Sequence, residues 1–512
     1  MQNLNETLRY WARRWPERLA LRSHDGDLSW GELDRGSDGI AAGLHAHGLR
    51  RGDRMGILMH NRNAFIETLL GAWKLGVAVT LLNVRFTPRE MLYPVTDAGL
   101  TLIVTEAALA GILDEAREAA AGLRVFSVDP APGVQPLDAL RLPPEQLPEV
   151  RVPPEDIALI CYTSGTTGVP KGAMISHANL LASSLARVIP CGISHVDKLL
   201  VSLPLAYTGG MCNYIRDGLF PGSTTVLAAS FDTEELMQLI TRERINTWTV
   251  VPVLLERMRQ HPAFAEMDFS SLRNLVAGGA PVSPFLLQSW QQAGVSITQG
   301  YGLTEVSGGF ATLLFHDEAQ RKFGSAGRAV MQAEVCVLNA AGEPAAPGEV
   351  GEICVAGPIV MQGYLNKPED TDAIRQGRWL LTGDTGRMDE EGFLTIVDRS
   401  KDMLISGGLN VYPAELEHTL ADVLGGAEFA IIGVPDQGWG EVPMIVAYGA
   451  EVDIERLKAR CLEQLADYKR PRFLVLLDAP LPRTYSGKVL KRELRQRFAS
   501  VPQHAVCLKQ AR

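Results

Sequence analysis

The densest run of small donor groups is Tyr162-Thr163-Ser164-Gly165-Thr166-Thr167-Gly168-Val169-Pro170-Lys171-Gly172. Thr163, Ser164, Thr166 and Thr167 supply hydroxyls. Gly165, Gly168 and Gly172 let backbone N–H groups come close, and Lys171 adds a positive charge. A polyphosphate asks for that combination of many donors and little bulk. Lys171 is followed by Gly172 rather than Ser or Thr, so this is not a Walker loop. The plain alternative is a surface loop of small polar residues. Against it, the apolar run Ile157 to Thr163 reads as a buried strand feeding directly into the loop.

Three further constellations carry possible chemistry. In Gln299-Gly300-Tyr301-Gly302-Leu303-Thr304-Glu305, a hydroxyl and a carboxylate come after the apolar Val295-Ser296-Ile297. Ligands of open α/β sheets sit at such strand ends, and a carboxylate suits Mg²⁺. Taken alone, the segment reads equally as an ordinary turn. In Leu380-Leu381-Thr382-Gly383-Asp384, with Asp398-Arg399 beyond it, Asp384 and Arg399 could hold a ribose; alone they read as a turn aspartate and a surface ion pair. In Pro482-Arg483-Thr484-Tyr485-Ser486-Gly487-Lys488, a tight turn presents a lysine, although most lysines are merely solvated.

The elements that must position these residues alternate. Arg54–Met59 reads as a strand, Ala64–Leu75 as a helix, Val77–Leu82 and Leu102–Thr105 as further strands. That alternation predicts a mostly parallel α/β sheet. Pro130–Pro154 reads as a surface connection; Gly342–Gly351 and Trp379–Val397 read as turn-rich β structure. A polar run at Asp398–Asp402 marks a boundary, and the remaining residues suffice for a small α+β domain. Met1–Leu21, interrupted by Arg9, Arg13, Arg14, Glu17 and Arg18, reads as an amphipathic surface helix rather than a signal peptide.

The bulk numbers narrow the class. At 512 residues the chain needs more than one core. A net charge of −10 disfavours nucleic acid as a partner. Seven scattered cysteines, without a CxxC pair, point to reduced thiols and a cytoplasmic protein without structural zinc. No run of about 18 apolar residues predicts a membrane span.

In this order and over this length the motifs resemble the superfamily of acyl-CoA synthetases, peptide-synthetase adenylation domains and firefly-type luciferases. The resemblance implies an α/β fold. Residues 1–398 would form a large domain of stacked, helix-flanked sheets with a β-barrel-like subdomain, and residues 399–512 a small mobile α+β domain hinged near Lys401. It implies an ATP-dependent ligase with two half-reactions. The carboxylate of a small-molecule acid attacks the α-phosphate of ATP and expels pyrophosphate; the thiol of coenzyme A then attacks the acyl-adenylate and releases AMP.

The same resemblance assigns roles. Thr163, Ser164, Gly165, Thr166, Thr167, Gly168 and Lys171 would wrap the β- and γ-phosphates. Thr304 would touch the α-phosphate and Glu305 would hold Mg²⁺. Gly279, Ala280, Pro281, Gly300, Tyr301, Gly302 and Ile396 would surround the nucleotide, with Asp384 and Arg399 on the ribose. Lys488 would bridge the attacking carboxylate and the α-phosphate as a placed cation. Ser406, Gly407 and Gly408 would line the coenzyme A tunnel once the small domain rotates.

The acyl pocket would be lined by Tyr207, Thr208, Val251, Gly278, Val306 and Gly308. Apart from Tyr207 these are small or apolar, which favours an uncharged aryl, cyclic or medium-chain tail. Gly210-Met211-Cys212-Asn213 stand where amino-acid-activating members show an aspartate, and Arg216 is expected on the surface. Tyr207 occupies the place of a histidine common in acyl-CoA synthetases; it is neutral and donates one hydrogen bond, which puts a proton-sensitive role there in doubt. Residues 469–497 carry nine basic and two acidic side chains, a local surplus suited to the phosphates of coenzyme A. The competing readings are an adenylating enzyme that loads a carrier protein, a luciferase-like oxygen user, and a non-catalytic nucleotide binder. Lys488 and Glu305 argue against the last. A homodimer is the assembly considered.

Overall fold

Short apolar runs bounded by turns become the inner strands of two large sheets. The computed structural model describes residues 3–508 except 164–169, 280–281, 283, 316, 400–401, 403, 407–408, 412, 425, 437–438, 450–451, 466 and 484–488. In an eight-stranded sheet, Ala78–Leu81 lies between Arg54–Leu58 and Ile157–Thr163, parallel to both. Every residue of Ala78–Leu81 and of Leu102–Thr105 is buried, as strands covered on both faces require. The helix Asn63–Lys74 is likewise buried on all sides. Its Lys74 ammonium sits 2.6 Å from both Asp34 and Asp38, which resolves a charge that could not otherwise stay in the interior.

The second sheet has nine strands. Its parallel centre runs Ile297–Tyr301, Asn274–Gly278, Thr247–Val250, Lys198–Val201 and Thr224–Leu227, then Leu19–Ser23 at the end away from the site. That last strand corrects the reading of Met1–Leu21 as one helix. The helix is Leu4–Arg14, capped by Asn3, whose side chain accepts from the Glu6 N–H at 3.1 Å. Pro16 removes a donor and restricts Trp15 before it, so the helix stops and Leu21 pairs with Thr225. The Pro130–Pro154 connection is also more than a surface strap. Leu137 and Leu140 are buried, and the Leu142 N–H donates to Gly39 O at 3.2 Å. A Cβ at Gly43 would collide with the Leu140 carbonyl, so only glycine lets the helix Trp30–Ala46 accept this segment.

Trp379–Val397, read as turn-rich β structure, falls in a five-stranded antiparallel sheet. Trp379–Met388 is paired with Gly351–Ala356 on one side and Leu394–Arg399 on the other. Beyond it, a six-stranded sheet packs the helices Pro413–Leu420 and Ile454–Gln464 around a core of Leu416, Ile431, Ile445, Leu457 and Leu474, and the helix Lys491–Arg497 on a second core, where Leu494 joins Ile432 and Val475. Among the described residues no helix is long and apolar enough to cross a membrane.

Candidate active site

Strands Ile157–Thr163 and Lys171–Ser176 form an antiparallel hairpin whose last pair is Thr163 with Lys171, so the hydroxyl-rich loop joins two paired ends. Ser164, Gly165, Thr166, Thr167 and Gly168 lie outside the described residues. The short strand Gly363–Tyr364 pairs with the far side of Lys171–Ser176, Tyr364 opposite Ala173. This brings Tyr364 to Lys171, whose ammonium stands 5.4 Å from the ring centroid and 2.5 Å from Asp370 Oδ1. Lys171 is therefore buried and paired with Asp370.

Tyr364 links the hairpin to the second motif. Its hydroxyl donates to Glu305 Oε1 at 2.7 Å, and the Met361 N–H donates to Glu305 O at 2.9 Å. Burial, with the adjacent Glu305 charge, pushes the Tyr364 phenol well above the ordinary tyrosine range, so it remains a donor. Thr304 Oγ1 lies 3.3 Å from Thr208 Oγ1 at the start of the helix Thr208–Asn213. The preceding Tyr207 donates to Asn83 Oδ1 at 2.7 Å. Cys161 hydrogen-bonds Thr208 from beneath, and burial pushes its thiol up to about 12.

The ribose-type motif meets the same region. Tyr301 donates its hydroxyl to Asp384 Oδ2 at 2.8 Å, both residues being buried. The turn before Asp384 is tied down at two points. Thr382 Oγ1 donates to Ile353 O at 2.7 Å, and the Gly383 N–H donates to Glu352 Oε1 at 3.0 Å. Gly383 sits at φ +71°, which favours glycine. Arg399 is opposite Asp384 and Ile396 opposite Gly386 in the adjoining strand. Segments far apart in sequence thus join through Lys171, Tyr364, Glu305, Thr304 and Thr208, with Tyr301 and Asp384 beside them.

Other expected residues fall elsewhere. Gly278 and Gly300 form the last pair between adjacent strands. A Cβ on Gly300 would run into the Phe310 ring, and one on Gly278 would sit 3.1 Å from it. Gly308, at φ +57°, packs against Thr208 and Cys212, and Gly302 against the Gly309 carbonyl. Val251 packs in a core with Leu203, Leu254 and Ala277, and Val306 in one with Ala182, Tyr301 and Ile359, so both are core residues. Ser406 is buried at the end of Leu404–Ser406, and Gly279 succeeds its strand at φ +83°. Ala280, Pro281, Lys401, Gly407, Gly408 and Lys488 lie outside the described residues.

Two expectations are overturned. Arg216 is not on the surface. It is buried on the π-helical turn Tyr214–Leu219, 3.0 Å from Asp217 and 2.6 Å from Asn213 Oδ1, with Arg187 3.5 Å from the same aspartate. Burial alone would raise the Asp217 carboxyl; the two guanidiniums outweigh it and hold it below the ordinary range. Nor is the basic run 469–497 a free cationic face. Arg470 and Arg472 share Asp467, Arg483 pairs with Glu428, Lys491 with Glu417, and Arg495 with Asp402. Sequence reasoning also missed Tyr364, Asp370 and Asn83. Each reaches the site only by tertiary pairing, and none stands in a dense motif.

The family profile for AMP-binding enzymes matches residues 8–365, and that for the AMP-binding enzyme C-terminal domain matches residues 415–488. The chain is 36% identical over 490 residues to feruloyl-CoA synthase of Amycolatopsis sp, covering 95% of this chain and 97% of that one. It is 36% identical to the long-chain-fatty-acid–CoA ligase FadD13 of Mycobacterium tuberculosis over 98% of this chain and 100% of the relative. The solved o-succinylbenzoate CoA synthetase of Bacillus subtilis, in complex with its acyl-adenylate OSB-AMP, superposes with a TM-score of 0.83 at 31% identity, covering 97% of this chain and 98% of that one.

Proposed function

The chain belongs to the AMP-binding enzyme family and is an AMP-forming acyl-CoA ligase, and from that premise we propose that its acid carries a flat, uncharged aromatic tail. One observation carries this reading. The paired residues Gly278 and Gly300 lack side chains, and the Phe310 ring lies against both. Thr208 and Cys212 pack on Gly308. Surroundings of glycine, aromatic ring and small side chains suit a planar ring better than a branched or charged tail. A buried cation nearby, Arg216, is turned to Asp217 and Asn213, with its guanidinium 4.9 Å from the Phe310 centroid. The relative named for ferulate supports an aryl acid; 2-succinylbenzoate shares the ring but adds a second carboxylate, and the relative named for long-chain fatty acids makes an aliphatic tail the competing reading.

ATP and coenzyme A are the co-substrates. In this reading, the loop at 163–168 and Lys171 hold the β- and γ-phosphates, with Lys171 exchanging Asp370 for phosphate. Thr304 donates to the α-phosphate, and Asp384 accepts from the ribose while Tyr301 fixes its second oxygen. The donor set at Glu305, a carboxylate oriented by a phenol, fits magnesium, which takes hard oxygen ligands and would neutralise the polyphosphate. Lys488 stabilises the charge that moves from the acid's carboxylate to the leaving pyrophosphate. Residues 399–512 turn about Lys401 between half-reactions, bringing Ser406, Gly407 and Gly408 to the thiol. Seven cysteines with no disulfide among them suit the cytoplasm.

The test is pyrophosphate release across benzoates, cinnamates, fatty acids and dicarboxylates, and then thioester formation with coenzyme A. Aryl acids should give the highest kcat/KM; preference for long-chain acids or for dicarboxylates would refute the pocket assignment. Lys488→Ala should lower adenylate formation by about 10²–10³-fold, the range for losing one preorganised charge-stabilising donor.

A further inference from the structure

The sheet that carries Asp384 also holds a pair of thiols. Cys336 on Glu334–Leu338 and Cys354 on Gly351–Ala356 stand directly opposite in antiparallel register. Opposed residues in such a ladder have Cα atoms about 4.5 or 5.5 Å apart, and a disulfide spans about 4.4–6.8 Å. Both side chains stand on one face of the ladder, and Cys354 Sγ donates to Glu352 O at 3.6 Å; Cys336 is partly exposed and Cys354 buried. We propose that Cys336 and Cys354 form a reversible intrachain disulfide by exchange with a low-molecular-weight disulfide such as oxidised glutathione.

The two cysteines differ in a way that orders the steps. The neighbouring Cys354 thiol, aided by Arg378, holds Cys336 below the ordinary thiol range against its partial burial. The proximity of Cys336, with burial, pushes Cys354 up. Cys336 is also the one a soluble disulfide can reach. Its thiolate attacks one sulfur of the oxidant, the oxidant's S–S bond breaks, and one glutathione thiolate leaves. Cys354 then gives up its proton and attacks the Cys336 sulfur, expelling the second glutathione. Two protein thiols are oxidised by two electrons, and one oxidised glutathione becomes two reduced ones. The buried Cys161 and Cys212 lack this asymmetry, since burial pushes both thiols up.

The bond would be labile rather than a permanent staple. Cβ atoms across a ladder lie about 4.5–5.5 Å apart, whereas a disulfide needs about 3.5–4.5 Å. Closure must draw the strands together, and strained disulfides are the more easily reduced. The movement would reach the nucleotide motif directly, because Glu352 and Ile353, next to Cys354, hold Gly383 and Thr382. This second step rests on the ribose role of Asp384.

The experiment is to incubate the full chain with excess oxidised glutathione, alkylate free thiols, and map peptides without reduction. Cleavage after glutamate is required, because no lysine or arginine separates the two cysteines whereas Glu343, Glu349 and Glu352 do. A peptide linking Cys336 to Cys354, lost on reduction, is expected, and Cys354→Ser should trap a glutathione adduct on Cys336. Recovery of both cysteines alkylated, or of Cys336 only as an adduct in the unmutated chain, overturns the proposal. The oxidised chain should show a severalfold higher KM for ATP, reversed by dithiothreitol and absent in Cys336→Ser. A linked peptide with unchanged KM supports the thiol site and refutes the ribose reading of Asp384.

Discussion

Tyr364→Phe isolates one hydrogen bond. Phenylalanine keeps the ring under the Lys171 ammonium, 5.4 Å from the centroid, and leaves the Lys171–Asp370 pair intact. What disappears is the 2.7 Å donor to Glu305 Oε1. A hydrogen bond to a charged group contributes about 1.5–3 kcal/mol. Removing a partner that orients a metal ligand typically costs about 10–100-fold in metal affinity or activity, which is about 1.4–2.7 kcal/mol. The two estimates agree, so adenylate formation should need about 10–100-fold more free Mg²⁺ for half-maximal rate, with activity recovering at excess metal. Pyrophosphate exchange at graded Mg²⁺ reads this directly. An unchanged Mg²⁺ dependence, or a loss that excess metal leaves in place, would refute the assignment of Glu305 as the ligand and Tyr364 as its positioning residue.

Asp384→Asn should raise the KM for ATP by about tenfold or more, the equivalent of a lost charged hydrogen bond, with a smaller effect on the KM for the acid; equal effects on both would count against a ribose role. Asp217→Asn leaves Arg187 and Arg216 buried without their counter-charge, and should cost about 3–5 kcal/mol in urea unfolding; a cost under about 1 kcal/mol would mean the cluster is hydrated. Burial pushes the His177 imidazole down to about 4, from an ordinary value near 6.5. The unfolded chain therefore binds the proton first, so this contribution is complete above pH 6.5 and is lost as pH falls toward 4, by ~3 kcal/mol. His177→Gln should flatten that part of the stability profile in denaturant titrations at fixed pH, and an unchanged slope would contradict the burial argument.

The inner strands were legible because burial on both faces leaves an uninterrupted apolar run, as at Leu102–Thr105 and Ile157–Thr163. Candidate site residues were legible where chemistry is packed into contiguous motifs, as in Thr304-Glu305 and Thr382-Gly383-Asp384. Contacts that depend on pairing between distant segments were not. Tyr364 stands in a two-residue strand, Gly363–Tyr364, with no periodicity to read, and only its register against Ala173 brings it to Glu305. Arg216 misled for a related reason. A charged residue defaults to the surface, and the adjacent Asp217 that permits burial resembles any other helical acid until the π-helical turn points both inward. The basic run at 469–497 looked like a binding face because charge counting along a chain is blind to acids such as Glu417 and Glu428, which the fold brings in from elsewhere.

The pairing of Leu21 with Thr225 has a consequence for how the chain is made. Leu19–Ser23 and its hairpin partner Gly26–Ser29 leave the ribosome early, yet the strand they join, Thr224–Leu227, is synthesised about 200 residues later. In between, residues 54–176 build all of the other sheet except the strand Gly363–Tyr364. During that interval the amino-terminal strand has an open edge, and such edges invite mispairing with other nascent chains. Removing the first thirty residues would therefore strip an edge from the sheet assembled much later and also uncover the helix Asn63–Lys74, whose core Leu4 and Leu8 share and whose Trp73 carbonyl accepts from Asn5. A translation pause before residue 227 would prolong the most aggregation-prone stage of synthesis.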